Sequence, residues 1–267
     1  QIPTSALSDE TPINIHNIIK EPPIHLLEKW EWTEEELPAI SENKIFSLKD
    51  QQKYSFSEII LKLLSNPSIA SKSWVYRQYD SQVQSNTVFK PGDADAALIR
   101  LRRQDEKNKN NEFSGVAASV DCNSRWVLLD PYRGSIAAVA ESARNVSCVG
   151  AQPIAITNNL NFSSPETEIG YWQLSSACDG ISKACIALET PVTGGNVSLY
   201  NESKNQNNQV TPINPTPVIG MVGTIKNVDK AISSGWKNIN DQIWIIGSNA
   251  SESSIACLLY TSDAADE

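Results

Sequence analysis

The most regular periodicity of apolar positions runs from Tyr171 through Leu174, Cys178, Ile181 and Cys185 to Leu188. Steps of three and four put these side chains on one face of a helix. Ser164-Pro165-Glu166 lies just upstream and reads as the start of that helix, because proline suits the first turn. A second helix is predicted from Ser135, with Ile136, Val139, Ala140, Ala143 and Val146 facing one way and Gly150 as its stop. A third opens at Ser55, where Glu58 three residues on completes a capping box; it continues through Ile59, Ile60, Leu63 and Leu64 to Asn66-Pro67.

Between the helices lie shorter stretches with strand character. Residues 96–102 alternate, and residues 114–121 and 125–129 are joined by Cys122-Asn123-Ser124, which predicts a hairpin. Residues 153–157 read as a buried strand, 191–200 as a strand with a turn, 218–225 as a strand, and 241–247 as a strand that opens a further domain. The polar runs 103–112 and 203–209 predict solvated loops. Strands and helices interleaved in this way predict an α+β fold, a mixed sheet domain with helices on one face. No G-x-G-x-x-G follows a strand, so a dinucleotide-binding fingerprint is excluded.

The ends of the chain differ from this middle. Proline recurs at 3, 12, 22, 23 and 38, and Glu34, Glu35 and Glu36 form an acidic patch, so residues 1–51 predict an extended linker with one short helix near 26–30. Residues 258–267 connect to no pattern in the rest and read as a non-native tail. Gln1 is followed by no basic segment and apolar core of a signal peptide, and the missing initiator Met is expected of a fragment or a processed start.

Composition narrows the function. A formal charge of −9 argues against a nucleic-acid partner, which would call for clustered Lys and Arg. It leaves a nucleotide ligand open, since small phosphates are held by Mg²⁺, backbone N–H groups and helix N-termini. No apolar run reaches the length of a membrane span. The five cysteines, at 122, 148, 178, 185 and 257, form no C-x-x-C pair, and both histidines, His16 and His25, stand in the leader. Zinc and disulfide frameworks are therefore poor readings, and a reducing compartment is the default.

Candidate chemistry concentrates in four places. In Thr193-Gly194-Gly195-Asn196-Val197-Ser198 the glycines permit positive φ and a close backbone approach to phosphate. The Asn196 amide oxygen can ligate Mg²⁺, and Ser198, two residues on, shares its strand face. The competing reading is an ordinary glycine-rich turn. Residues 130–135 (DPYRGS) could receive an anion at a helix N-terminus beside Arg133, or form a capping turn with a salt bridge. Residues 157–162 (TNNLNF) end a strand with three amides, which on their own favour a turn. Residues 77–80 (RQYD) suit a buried polar network or a ligand contact equally. No Ser-His-Asp, Cys-His or paired-carboxylate set is present.

Taken in order, WVYRQYD (74–80), TVFKPGDADAALIR (87–100), LDPYRG (129–134), ARNVSCVGAQPIAITNNLNF (143–162), TPVTGGNVSLYNE (190–202) and PTPVIGMVG (215–223) closely resemble the second half of the phosphoribosylformylglycinamidine synthase large subunit. The resemblance extends from residue 1 to about 247. It implies two pseudo-repeated halves whose sheet domains associate face to face. Residues 1–51 would then be the end of the first half and the linker, 52–236 the second sheet domain, like the N-terminal domain of aminoimidazole ribonucleotide synthetase, and 237–257 the truncated start of an α/β domain.

The resemblance further implies an ATP- and Mg²⁺-dependent ligase of purine biosynthesis that converts formylglycinamide ribonucleotide to its amidine. Ammonia would come from a glutaminase subunit, with a small accessory subunit in bacterial-type systems. By motif position, Asn158 and Gly195 would contact nucleotide, Asn196 would ligate Mg²⁺ and Ser198 would bind the ribonucleotide. No catalytic residue is expected here: the family's catalytic histidine and acidic ligands belong to the first half, so the chain alone should be inactive. Two departures stand out. Asn158 replaces a residue that is often Asp, and Ser163-Ser164 replaces Gly-Asn, with Ser164 still able to cap the next helix. Related ATP synthetases of one sheet domain, or a non-catalytic half that holds nucleotide and dimerises, are the alternatives. A cytoplasmic location is expected, or the plastid if the source is a photosynthetic eukaryote.

Overall fold

The computed structural model describes residues 4, 19, 21–25, 45–47, 53–102, 113–204 and 208–244. The short helix expected near 26–30, the loop at 103–112 and the tail at 258–267 lie outside them, as does most of the linker.

Strands β1 (Ile45–Ser47) and β2 (Lys53–Ser55) pair antiparallel and lead into helix α1 (Phe56–Ser65). The capping box is formed: Glu58 N donates to Ser55 Oγ, and Ser55 N donates to Glu58 Oε2 at 2.8 Å. The short helix α2 (Ser73–Tyr76) follows. The 77–80 motif then makes only local contacts. Tyr79 is exposed, Gln78 Nε2 donates to the Trp74 carbonyl, and Asp80 accepts from Gln82 N. That is neither a buried network nor a cleft.

The central sheet has the order β3-β4-β9-β5-β6, from β3 (Ala97–Arg100), β4 (Gly115–Asp121), β5 (Gln152–Asn161), β6 (Val192–Ser198) and β9 (Thr216–Ile225). All pairs are antiparallel except β5 with β6. A parallel pair needs a crossover, and helix α5 (Glu168–Leu188) supplies it. Helix α4 (Pro131–Cys148) lies across β4 and β9 and packs on α5.

Alternation along the strands builds the core. Leu98, Ala117, Ile156, Leu160, Ile219 and Met221 point to the helix side and are buried against Val139, Val146, Ala177 and Ile181. Their neighbours in register face the other way: Val120 opposite Gly220, Ala118 opposite Val222, Asn159 opposite Val218. Among the described residues no helix covers that second face, and Val120 is 72% exposed there.

Several expectations need correction. Residues 125–129 are no hairpin arm but part of helix α3 (Ser124–Leu129), because the Asn123 side chain accepts from Arg125 N and Trp126 N and caps it. Six residues are too few for period to separate strand from helix. Helix α4 begins at Pro131, not Ser135, with the Asp130 carboxylate accepting from Arg133 N at 2.9 Å. Gly150, just past its end, has φ +86°, as a stop requires. Thr167, rather than Ser164, caps α5 by accepting from Gly170 N. Of the loop expected at 203–209, residues 203 and 204 belong instead to strand β7 (Glu202–Lys204), which pairs antiparallel with β8 (Val210–Pro212). Of the strand expected at 241–247, residues 241–244 are described and carry no strand.

Candidate functional site

The site residues named from the sequence all lie on β5 and β6, the parallel pair at one edge of the sheet. Register sets Asn158 beside Gly195, Asn159 beside Asn196 and Asn161 beside Ser198. Residues 157–162 therefore do not turn. All but Phe162 lie within β5, and their backbone groups are held by strands on both sides.

Gly194 and Gly195 are also inside a strand, and neither has positive φ. Close approach is what requires glycine at 195. A Cβ there would meet Asn158 Oδ1 at 1.9 Å and the Asn158 carbonyl oxygen at 2.5 Å. At Gly194 a Cβ would meet nothing within 4 Å. The strand is pinned just ahead of Gly195 by Thr193 Oγ1 donating to the Ile156 carbonyl and Thr157 Oγ1 donating to the Gly194 carbonyl, each at 3.0 Å.

Because side chains alternate, the four residues divide between two faces. Asn158 and Gly195 belong to the helix side. There Asn158 lines a groove of about 510 Å³ with Cys178, Ile181, Cys185, Pro191 and Val192. Burial raises both thiols above the ordinary cysteine range, helped at Cys178 by the Asp179 carboxylate.

Asn196 and Ser198 belong to the open face. Asn196 Nδ2 donates to Asn159 Oδ1 at 3.1 Å, which leaves Asn196 Oδ1 as an acceptor. Ser198 Oγ lies 3.3 Å from Asn201 Oδ1, to which it donates. The Asn201 amide is itself anchored, with Nδ2 donating to the Ser198 carbonyl at 2.8 Å and the Phe162 carbonyl at 3.1 Å. Just before it, Tyr200 has φ +59° and its hydroxyl reaches Glu166 Oε1. The nearby carboxylate raises the Tyr200 phenol. Asn201 escaped the sequence reading, and Asn159 entered it only as one of three amides in a supposed turn. For Asn159 the period-two pattern was available, but only the parallel register brings it to Asn196.

The other candidate, residues 130–135, is a capped helix start. Asp130 holds Arg133 through its backbone N–H and by a 3.6 Å ion pair. Among the described residues no three His, Cys, Asp or Glu cluster as a metal site, and no helix is long and apolar enough to cross a membrane. The four cysteines described are all free thiols. A neutral amide oxygen on an open face suits Mg²⁺ as one ligand among phosphate oxygens, waters and carboxylates. The donor set here thus fits a shared Mg²⁺·nucleotide and not a self-contained metal cage.

Residues 93–225 match the model of the AIR synthase related protein, N-terminal domain. Over 260 residues the chain is 98% identical to phosphoribosylformylglycinamidine synthase subunit PurL of Prochlorococcus marinus subsp. pastoris, covering 97% of this chain and 33% of that protein. The chain belongs to the phosphoribosylformylglycinamidine synthase family. A second relative, the PurL subunit of P. marinus strain NATL1A, is 59% identical over 92% of the chain and 31% of its own length. This family member thus spans about a third of the length of the curated relatives it matches. The solved structure of T. maritima PurL complexed with ATP is similar over 81% of this chain and 28% of that one, at 27% identity and a TM-score of 0.50. The mixed sheet with helices on one face is the fold expected of the family's sheet domain.

Proposed function

We propose that this chain forms one wall of the ATP-dependent site that converts formylglycinamide ribonucleotide to formylglycinamidine ribonucleotide in purine biosynthesis. The observation that carries the reading is the placement of Asn196 and Ser198 two residues apart on the open face of edge strand β6, beside the amides of β5. Asn196 Oδ1 would be one ligand of Mg²⁺, and Ser198 Oγ would hold the ribonucleotide. Asn158 and the Gly195 backbone would meet the nucleotide from the helix side of the parallel pair. Bound Mg²⁺ supplies neutralisation of the charge on the transferring phosphoryl group.

In this reaction the formamide oxygen attacks the γ-phosphorus and ADP leaves. Ammonia then adds to the activated carbon, and phosphate departs with the former amide oxygen. Residues 53–244 contain no histidine, and the open face offers no acidic cluster among the described residues. The base and the carboxylate ligands would come from a companion sheet domain laid over the open face, where Val120 and Ile99 are exposed. Residues 52–236 would be the second sheet domain, with 1–51 as linker and 237–257 as the start of an α/β domain. A glutaminase subunit would deliver ammonia, with a small accessory subunit in the assembly, and the setting would be the cytoplasm. By itself the chain would bind without turning over.

Calorimetric titration of the chain with ADP tests this. Binding that Mg²⁺ strengthens, and that in its presence weakens at least several-fold in Asn196→Ala, is expected. No binding, or binding indifferent to both Mg²⁺ and the substitution, overturns it.

A second reading, that this half only holds nucleotide, is favoured by one observation. Asn158 carries a neutral amide into the groove where the family often has a carboxylate. An Asn158→Asp substitution that leaves ADP affinity unchanged but adds no Mg²⁺ dependence would favour it.

A further inference from the structure

An asparagine used as a metal ligand has a difficulty of its own. Its amide offers an oxygen at one end and a donor NH₂ at the other, and a half-turn about the last bond exchanges them. Only the oxygen can ligate Mg²⁺. Something must therefore decide which end of Asn196 is presented.

We infer that Asn159 is the positioning residue that makes this choice, and this rests on the reading of Asn196 as a metal ligand. The two residues are register partners on β5 and β6, so their Cα atoms are held by a parallel ladder rather than by a loop. Asn159 Oδ1 accepts from Asn196 Nδ2 at 3.1 Å. This contact occupies the donor end of Asn196 and turns its oxygen outward. Turned the other way, Asn159 would offer a donor, and Asn196 would spend its oxygen on that bond.

The neighbouring amides do not compete for the contact. Asn161 Nδ2 is directed to the backbone carbonyls of Asn159 and Thr216, and Asn201 to those of Phe162 and Ser198. Asn196 and Asn159 are both exposed, so neither is needed to fill the core. A single hydrogen bond of this kind biases two orientations by about two- to ten-fold. Asn159 thus acts on metal affinity through Asn196 without touching the metal.

The test uses Mn²⁺ in place of Mg²⁺, with free and bound ion counted by electron paramagnetic resonance in the presence of ADP. Three variants of the whole chain are compared. Asn159→Ala should lower Mn²⁺·ADP affinity about two- to ten-fold, with ADP affinity in the absence of metal unchanged. Asn159→Asp can only accept, so it should restore the affinity, and the restoration should persist in high salt, where mere added charge is screened. Asn196→Ala should lower affinity at least as far as Asn159→Ala.

If Asn196→Ala has an effect and Asn159→Ala has none, the positioning role is wrong while the metal reading stands. Failure of Asn159→Asp to restore affinity at high salt also overturns the positioning role. If Asn196→Ala has no effect, the metal reading fails and the positioning role falls with it.

Discussion

The carbonyl and side-chain oxygens of Asn158 occupy the space that a β-carbon on Gly195 would need. The side-chain oxygen stands at the end of a rotatable bond, but the carbonyl belongs to the β5 backbone and cannot withdraw without disturbing the parallel ladder. Gly195→Ala should therefore cost about 1–3 kcal/mol, the usual penalty of overpacking. Gly194→Ala, with open space around it, should stay within about 0.5 kcal/mol of the parent, as surface substitutions do. Urea denaturation of the two variants checks the contrast, and equal losses would contradict it.

Asn201 tests whether the turn after β6 depends on an amide. Its Nδ2 donates to two backbone carbonyls while its Oδ1 faces the Ser198 hydroxyl. Asn201→Ala should destabilise by about 1–2 kcal/mol through the lost bonds. Asn201→Asp should be worse than alanine, because a carboxylate cannot donate and would face two carbonyl oxygens. Thermal unfolding at neutral pH measures the order, and an aspartate variant as stable as the parent would refute it.

Cys122 sets an alkaline limit. Burial, with the Glu141 carboxylate adding to it, pushes its thiol from an ordinary 9.0 up to about 11. The unfolded chain releases this proton first, so between about pH 9 and 11 the folded state binds more protons and stability falls as pH rises. Below pH 9 the contribution is fully present. Stability measured across this range should decline less steeply in Cys122→Ala than in the parent, and identical slopes would remove Cys122 as the cause.

Asp130 caps α4 from a buried position and accepts from Arg133 N. Asp130→Ala should cost about 1–2 kcal/mol, and Asp130→Asn, which keeps an acceptor, appreciably less. Helical circular dichroism followed through thermal unfolding distinguishes these. Anion titration should leave the melting temperature of the parent unchanged, since the Asp130 carboxylate already fills the helix start.

How far the sequence spoke depended on the range of the interaction involved. The periodicity of Leu174, Ile181 and Cys185 announced α5 because a helix face is repeated over many residues. The Ser55–Glu58 box was legible because both partners lie within one turn. The 124–129 segment was misread because the Asn123 cap outweighs a pattern only six residues long. Of the candidate site, the residue types at 158, 195, 196 and 198 were visible. Their division between two faces was not, since it depends on pairing β5 with a strand some forty positions downstream. Asn159 was read as a turn amide, and Asn201 was missed, because the bonds to Asn196 and to the Phe162 carbonyl span partners that only folding brings together.

The placement of four site residues on a single parallel pair has one more consequence. A strand has two sides, and what happens on one is largely hidden from the other. The neutral amide at Asn158 sits on the covered side with the groove, so whatever it changes there need not disturb the oxygen and hydroxyl displayed opposite. In the site proposed here, a change on the covered side would retune the grip on one part of a ligand while leaving the grip on another as it was.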